Sequence, residues 1–157
     1  MSELSWLSRT TLLIGDEKLN QLQKSHVLVV GLGGVGSFAA EFLARAGVGT
    51  LTIVDGDVVD PTNRNRQLQA LSSTHGMSKA LLMQERLTLI NPSIKLHVIS
   101  EFQDPEMVKE LLAKKYSYVI DAIDSISPKI YMIKTAMEMG QRLVSSMGAG
   151  GKMDPTQ

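Results

Sequence analysis

The stretch HVLVVGLGGVGSFAAEFLARAGVGTLTIVDGD, His26–Asp57, decides the fold. An apolar run, residues 27–30, breaks into a glycine-rich segment, residues 31–36, and apolar residues then recur at helical spacing over 38–46. A second apolar run ends on Asp55, 19 residues after the last glycine of that segment. This order of strand, glycine turn, helix, strand and acid predicts a βαβ unit that binds a nucleotide.

The glycine-rich segment has the spacing Gly31, Gly33 and Gly36, with Gly34 between them. In a phosphate-binding turn one glycine makes the tight bend, one lets the backbone approach the phosphate, and one lets the helix pack close to the strand. The N-terminus of the following helix adds free N–H groups and a partial positive charge. A strand–helix turn that merely tolerates glycine is the alternative, and it does not explain this spacing.

Composition limits the class of protein. The 157 residues correspond to one domain, and 16 basic residues balance 16 acidic ones. This balance gives no global field toward nucleic acid or membrane, although it is compatible with a local basic patch. The chain has no cysteine, which excludes disulfides, thiolate zinc sites and a cysteine nucleophile within it. Its start, Met1–Gly15, lacks signal-peptide features, and no apolar segment approaches the ~20 residues of a membrane span, so we expect a cytoplasmic location.

The rest of the chain alternates helices and strands. An arm, residues 1–25, holds an amphipathic segment and a short helix, and a nucleotide-binding domain covers 26–157. The predicted elements after the first βαβ unit are the helices Gly76–Ile90, Asp104–Lys115 and Ser127–Gly140 and the strands Lys95–Ser100, Tyr118–Ile123 and Arg142–Ser145. They predict an α/β fold with a doubly wound, mostly parallel, Rossmann-like sheet and an N-terminal helical arm.

Polar residues cluster where these strands end, and ligands bind such sheets at that edge. The polar residues at this edge are Asp55, Asp57, Asn63, Arg66, Gln67, Lys79, Asp121 and Asp124. A nicotinamide dehydrogenase needs a glycine turn and a ribose-binding acid, but no convergent arginine, lysine and further aspartate. Those additions suit a triphosphate, because attack at the α-phosphate builds negative charge that cations must hold. Asp124 suits Mg²⁺, which takes one or two carboxylates besides water and phosphate.

Several of these residues have a structural alternative. Asp55 is also placed to cap the junction between strand and loop. Arg66 is equally well explained as a surface arginine, and Lys79 as a solvated lysine at a helix start. Asp121, inside an apolar strand, is as suited to bonding loop amides as to binding a nucleotide.

Five motifs in order resemble the adenylation domain of ubiquitin-activating-like enzymes. They are Gly31–Gly36, Asp55–Asp57, Thr62–Gln67, Gly76–Ala80 and Asp121–Asp124. Within this family the likeness is greatest to the branch that dehydrates threonylcarbamoyladenosine in tRNA, through Thr62–Leu71, Tyr116–Ser125 and Gly148–Gln157. Members of the family continue beyond the position of Gln157, so the resemblance implies that the chain corresponds to an N-terminal part.

The resemblance implies a role for each matched residue. Gly31, Gly33 and Gly36 would form the phosphate turn, with Gly34 and Gln67 among the nucleotide-binding residues. Asp55 would hold the ribose with Asp57 nearby, and Asp121 would lie at the nucleotide. Asn63, Arg66 and Lys79 would contact the phosphates of ATP, and Asp124 would bind Mg²⁺. Arg9 matches an arginine that reaches the nucleotide site of a neighbouring subunit, which implies a homodimer.

The implied reaction is ATP-dependent activation of the threonyl carboxylate on modified adenosine 37 of tRNA, followed by ring closure that expels AMP. Three alternatives remain at this point. The chain could adenylate the C-terminal glycine of a ubiquitin-like sulfur-carrier protein, act as a non-catalytic nucleotide-binding module, or transfer hydride with a nicotinamide. The set Asn63, Arg66, Lys79 and Asp124 argues against the last of these.

Overall fold

The computed structural model describes residues 5–101 and 104–148. Within these residues a 3₁₀ turn, Ser5–Leu7, leads into six α-helices and five strands. In chain order they are α1 Ser8–Ile14, α2 Asp16–Gln23, β1 His26–Val30, α3 Gly36–Ala46, β2 Thr50–Val54, a 3₁₀ turn Pro61–Asn65, α4 Lys79–Ile90, β3 Lys95–Ile99, α5 Pro105–Ala113, β4 Tyr118–Asp121, α6 Ile126–Glu138 and β5 Leu143–Ser145. The stretch 149–157, which contributes to the resemblance, lies outside the described residues, as do the first four residues of the arm. None of the helices in the described ranges is long and apolar enough to cross a membrane.

The five strands form one parallel sheet in the order β3-β2-β1-β4-β5. Val30, the last residue of β1, is aligned with Val54 of β2 on one side and Asp121 of β4 on the other. The segments that follow these three strands therefore leave the sheet side by side at its carboxyl edge. The doubly wound α/β fold predicted from the sequence is confirmed.

Alternate side chains of β1 point into two separate cores, because strand side chains alternate between the faces of a sheet. Val27 and Val29 pack with residues of α3 and α4, including Ala40 and Met83. Leu28 and Val30 belong to the opposite core, which the helices α5 and α6 cover. The centre of the sheet is thus buried on both faces, which explains why β1 is an almost continuous apolar run and why Thr52 of β2 is buried as well as Leu51.

Helix α3 packs on the sheet through its smallest side chains. The buried positions include Gly36, Ala40 and Ala44, whereas Phe38 and Phe42 are 39% and 64% exposed. Small residues let the helix axis approach the sheet, and a phenylalanine on that face would hold it away. The helical spacing was therefore predicted correctly, but its largest apolar side chains face outward.

Two helix starts differ from the sequence prediction. Helix α4 begins at Lys79 rather than Gly76, because Gly76 has a non-helical φ of +78° and Ser78 pairs with Val58 in an antiparallel bridge. Ser78 then caps the helix by accepting from a backbone N–H of its first turn. Helix α6 begins before Ser127 and places Pro128 in its first turn, where no helical N–H is needed. The other predicted boundaries differ from the observed ones by at most two residues.

The arm packs on the domain through two leucines. Leu7 and Leu19 are buried, and a Cβ on Gly47 would lie 2.9 Å from Leu7 Cδ1 and 3.4 Å from Leu19 Cδ1. Gly47 has φ +91° and ends α3, so only glycine fits both its backbone and this contact. Leu12 and Leu13 remain exposed on α1.

Glu41 joins α3 to α4. Its carboxylate accepts hydrogen bonds from Arg86 on α4 and from Arg45 one turn along α3. The hydrogen bond from Arg86 contributes most, and together these contacts hold the pKa of Glu41 below its usual value. We expect Glu41→Gln to lower the free energy of unfolding by about 1 kcal/mol at neutral pH, because both arginines are about half exposed and therefore screened.

The Glu41→Gln substitution also changes how the free energy of unfolding depends on pH. Since the folded-state pKa of Glu41 lies below the unfolded value near 4.5, its contribution is full above that pH and is lost as the pH falls through the lowered pKa. Urea unfolding from pH 7 to pH 3 measures the gap between wild type and variant, with the exposed Glu85→Gln as control. A gap that stays constant over this range would contradict the assignment.

Candidate nucleotide-binding site

The glycine turn leaves backbone donors free at the carboxyl edge of the sheet. Gly31 has φ +88°, and a Cβ on it would lie 2.7 Å from the carbonyl oxygen of Ala122. A Cβ on Gly36 would lie 1.7 Å from the carbonyl oxygen of Gly31. Within the described residues the N–H groups of residues 33–36 have no hydrogen-bond acceptor, and the 11-residue helix α3 starts directly behind them. Four unpaired donors at a helix N-terminus form an arrangement suited to a phosphate.

Asp55 connects this turn to the end of β2. Its Oδ2 accepts from the N–H of Leu32 at 2.7 Å, and its Oδ1 accepts from the N–H of Asp57 at 2.8 Å. Burial raises the pKa of the Asp55 carboxyl, and these two hydrogen bonds oppose that rise. Each carboxylate oxygen has a second lone pair. The geometry is therefore compatible with both the structural role and the predicted ribose contact.

The Lys79 side chain is buried and forms an ion pair, so it is not a solvated surface lysine. Its Nζ lies 2.8 Å from Asp57 Oδ2, and its backbone N–H donates to the Asp57 carbonyl at 3.0 Å. The Lys79 side chain is buried, whereas that of Asp57 is 51% exposed. The ammonium group therefore lies at the inner end of an ion pair beside Asp55 and keeps donors for a further anion.

The loop after β2 places three further predicted residues near the glycine turn. Exposed Arg66 lies against Gly34, where a Cβ would meet Arg66 Cγ at 3.2 Å. Its Nη1 donates to Asn65 Oδ1 at 2.9 Å, within the loop. Asn63 is buried, and its Oδ1 accepts from the N–H of Asp60 in a capping box that shapes the turn Pro61–Asn65.

Two buried glutamines in this loop each leave one oxygen without a partner. Gln67 Nε2 lies 3.8 Å from the position of a Cβ on Gly33, and Gln67 Oε1 has no donor within the described residues. Gln69 Nε2 donates to the Leu32 carbonyl at 2.7 Å, and its Oε1 is likewise unpaired. Buried oxygens without donors are costly, so a ligand with donor groups would stabilise this arrangement. Gln69 carries no sequence signal of this role, because only the fold brings it to the turn.

Asp121 serves a structural network rather than the edge of the site. It is fully buried, and its carboxylate accepts from the N–H of Ile123 at 3.0 Å, from Ser145 Oγ at 2.6 Å and from Lys129 Nζ. Both oxygens of this carboxylate thus accept hydrogen bonds from the protein itself. The geometry therefore favours the structural alternative for Asp121 over the predicted nucleotide contact. Lys129 and Ser145 were not predicted from the sequence, because they meet Asp121 only through the pairing of β4 with β5 and the packing of α6.

Asp124 is exposed in the segment after β4, and its Oδ1 accepts from the Ser125 hydroxyl at 3.4 Å. The described residues contain no group of three or more His, Cys, Asp or Glu side chains that would hold a metal ion by themselves. One accessible carboxylate fits Mg²⁺ that arrives with phosphate oxygens and keeps its waters, but it does not form a preformed metal cage.

Arg9 is not brought to the site of its own chain. It is exposed on α1, and the arm is anchored by Leu7 at Gly47. Gly47 lies at the opposite end of the 11-residue α3 from the glycine turn, about 16 Å away at ~1.5 Å per residue. The predicted role for Arg9 in a neighbouring subunit's site stays a prediction.

A model of the ThiF family matches residues 7–157. The tRNA threonylcarbamoyladenosine dehydratase of Escherichia coli K12 is 45% identical over 156 residues, which cover 98% of this chain and 58% of that protein. The protein of the same name from Bacillus subtilis 168 is 47% identical over 154 residues, which cover 98% of this chain and 61% of that protein. The chain thus spans about three fifths of the length of these relatives.

The fold is also similar to a solved structure. The crystal structure of the E. coli tRNA N6-threonylcarbamoyladenosine dehydratase TcdA in complex with ATP superimposes with a TM-score of 0.93 at 44% sequence identity. The match covers 98% of this chain and 63% of that one.

Proposed function

The chain belongs to the ThiF family, and on this basis we propose that the complete protein is an ATP-dependent tRNA threonylcarbamoyladenosine dehydratase. The observation that carries the proposal is the convergence of the four free N–H groups of residues 33–36 with Arg66 and Lys79 at one edge of the sheet. The names of its relatives and the ATP complex of one of them support the choice of substrates.

The proposed reaction has two steps, adenylation of the carboxylate and ring closure. A carboxylate oxygen of the threonyl group attacks the α-phosphorus of ATP, the bond to the β-phosphate oxygen breaks, and pyrophosphate leaves. The carbamoyl nitrogen or oxygen then attacks the acyl carbon, loses its proton and expels AMP, which carries away the former carboxylate oxygen. The RNA loses one water in total, and its oxygen leaves in AMP.

In the proposed mechanism, residues of this chain bind the nucleotide and stabilise the negative charge that develops during the reaction. The N–H groups of residues 33–36 bind a phosphate group, and Arg66 and Lys79 stabilise negative charge on the phosphoryl oxygens during attack. Asp55 orients the ribose, and the unpaired oxygens of Gln67 and Gln69 accept from nucleoside donors. Asp124 would hold Mg²⁺, which supplies positive charge to the phosphates.

Three further elements belong to the same proposal. The protein acts as a homodimer, in which Arg9 reaches the partner's site. Exposed apolar side chains on α1 and α3, among them Leu12, Leu13 and Phe42, support a subunit contact on that side. The site works in the cytoplasm, where its tRNA substrate is available.

Isotope exchange between pyrophosphate and ATP tests the proposed function. We expect the complete protein to catalyse exchange when tRNA carrying threonylcarbamoyladenosine is added. A ubiquitin-like sulfur-carrier protein ending in Gly-Gly serves as the comparison substrate. Exchange that requires the carrier protein and ignores the tRNA would replace this proposal with carrier activation.

A further inference from the structure

Charge is distributed unevenly between the two edges of the sheet. In a parallel sheet the segments that precede the strands all meet at the amino edge. In this chain those segments are residues 24–25, 47–49, 91–94, 114–117 and 139–142. They carry Lys24, Lys114, Lys115 and Arg142 and no acidic residue. The segments that follow the strands carry most of the aspartates of the predicted nucleotide site, so a chain of zero net charge has one basic edge.

These four cations line one open groove of about 1300 Å³. The groove lies beneath β1, β4 and β5, and no aspartate or glutamate lines it. All four side chains are exposed, and the ion pairs formed by the described residues involve other cations. We define this surface as the basic groove.

Hydrogen bonds fix the backbone of the basic groove. Gln141 Nε2 donates to the carbonyls of Leu112 and Lys114, both at 2.7 Å, which ties the segment before β5 to the segment before β4. The N–H of Ser117 donates to the His26 carbonyl at 2.7 Å, and the N–H of His26 donates to Ser117 Oγ at 3.1 Å. The cations thus project from a rigid frame rather than from loose loops.

The basic groove also presents an aromatic ring. Tyr118 is 48% exposed, and the Arg142 guanidinium carbon lies 5.8 Å from its ring centroid. The positive field of this edge also reaches His26, whose pKa is lowered by burial first and then by the charges of His97, Lys114 and Lys95. Cations interleaved with an accessible ring are the features that bind a nucleic-acid backbone and stack its bases.

We propose that the basic groove binds the phosphate backbone of the substrate RNA, away from the nucleotide that reacts. The inference rests on the proposed function, which supplies an RNA as substrate. The predicted ATP site lies across the sheet, about 16 Å away along a five-residue strand at ~3.3 Å per residue. The groove therefore holds a remote part of the tRNA, and contacts there orient the reacting nucleotide at the opposite edge.

Salt-dependent tRNA binding tests this proposal on the complete protein. The variant Lys24→Gln, Lys114→Gln, Lys115→Gln, Arg142→Gln removes the four charges, and Lys109→Gln, Lys134→Gln removes two exposed charges elsewhere as the control. We expect the fourfold variant to bind tRNA at least about tenfold more weakly at ~100 mM salt. The slope of log K against log salt should become shallower by about three, at ~0.7–0.9 per lost phosphate contact. Thermal unfolding verifies that the variants are folded.

The possible results distinguish a failure of the proposed function from a failure of the basic groove alone. Wild-type protein that binds no tRNA would overturn the proposed function, and with it the RNA as occupant. Wild-type binding with the same affinity and slope in the fourfold variant as in the control would overturn the basic groove alone. Loss of binding to an acidic carrier protein, with tRNA binding unchanged, would assign the groove to a protein partner instead.

Lysine acetylation adds a readout that needs no variant. We expect Lys24, Lys114 and Lys115 to react in the free complete protein and to be protected when tRNA is bound, while Lys109 reacts in both states. Groove lysines that fail to react even without tRNA would show that another part of the protein or a second copy covers the groove, which would contradict the proposal.

Discussion

Replacing Lys129 by methionine is expected to lower the free energy of unfolding by about 3–5 kcal/mol, because it leaves the carboxylate of Asp121 buried without its cation. Asp121 is fully buried and Lys129 nearly so, and the two form an ion pair between β4 and α6. Methionine has a similar length, so the loss comes from charge rather than from a cavity. Urea unfolding of the complete protein measures it, with the exposed Lys134→Met on the same helix as control.

The double variant Lys129→Met, Asp121→Leu separates pairing from burial. Since removing both charges leaves no buried ion, we expect it to recover much of the stability that Lys129→Met loses. Recovery stays partial, because Ile123 N–H and Ser145 Oγ lose their acceptor. A stability of Lys129→Met within about 1 kcal/mol of wild type would show that the network does not hold the β4–α6 segment that carries Asp124.

Arg66→Ala and Lys79→Ala are each expected to lower the rate of AMP formation by about 10²–10³, the typical effect of removing one group that stabilises transition-state charge. Both variants should fold. Arg66 is exposed, and the loss of Lys79 leaves Asp57 as a carboxylate that is half in water. The substitution Arg64→Ala, in the 3₁₀ turn that Arg66 directly follows, is the matched control and should retain the wild-type rate.

Single-turnover rates of AMP release measure this effect, and the midpoints of thermal unfolding exclude misfolding. Wild-type rates in both Arg66→Ala and Lys79→Ala would remove these residues from the proposed mechanism. A loss in Arg64→Ala as large as that in Arg66→Ala would indicate that the turn tolerates no change, rather than that one arginine contacts phosphate.

The βαβ unit was predictable because its signals are local. Apolar runs and glycine spacing depend on neighbours in sequence, and the structure bears them out. The outward face of α3 was not predictable, since helical spacing alone does not say whether large or small side chains touch the sheet. Phe42 is exposed and Ala40 is buried because close packing on a buried sheet requires small residues.

The candidate site, like the fold, combines features that depend on sequence neighbours with features that depend on distant residues. Asp55 lies at the carboxyl edge because it directly follows β2. Lys79 opens the helix after the following loop and reaches the same edge through its ion pair with Asp57. The partners that fix their roles come from elsewhere in the chain. Asp121 meets Lys129 and Ser145 only through the pairing of β4 with β5, and Gln69 meets the glycine turn only through the fold of the loop. Sequence spacing thus predicts which residues share this edge of the sheet but not the hydrogen-bond network around them.

Oxygen-isotope transfer tests the central claim most directly. The substrate is tRNA whose threonyl carboxylate carries ¹⁸O in both positions, incubated with ATP and the complete protein. The mechanism predicts that each turnover places one ¹⁸O in AMP, leaves the other in the cyclised nucleoside, and puts none in pyrophosphate. Label that appears in inorganic phosphate, or cyclisation without labelled AMP, would contradict attack of the carboxylate on the α-phosphate at this site.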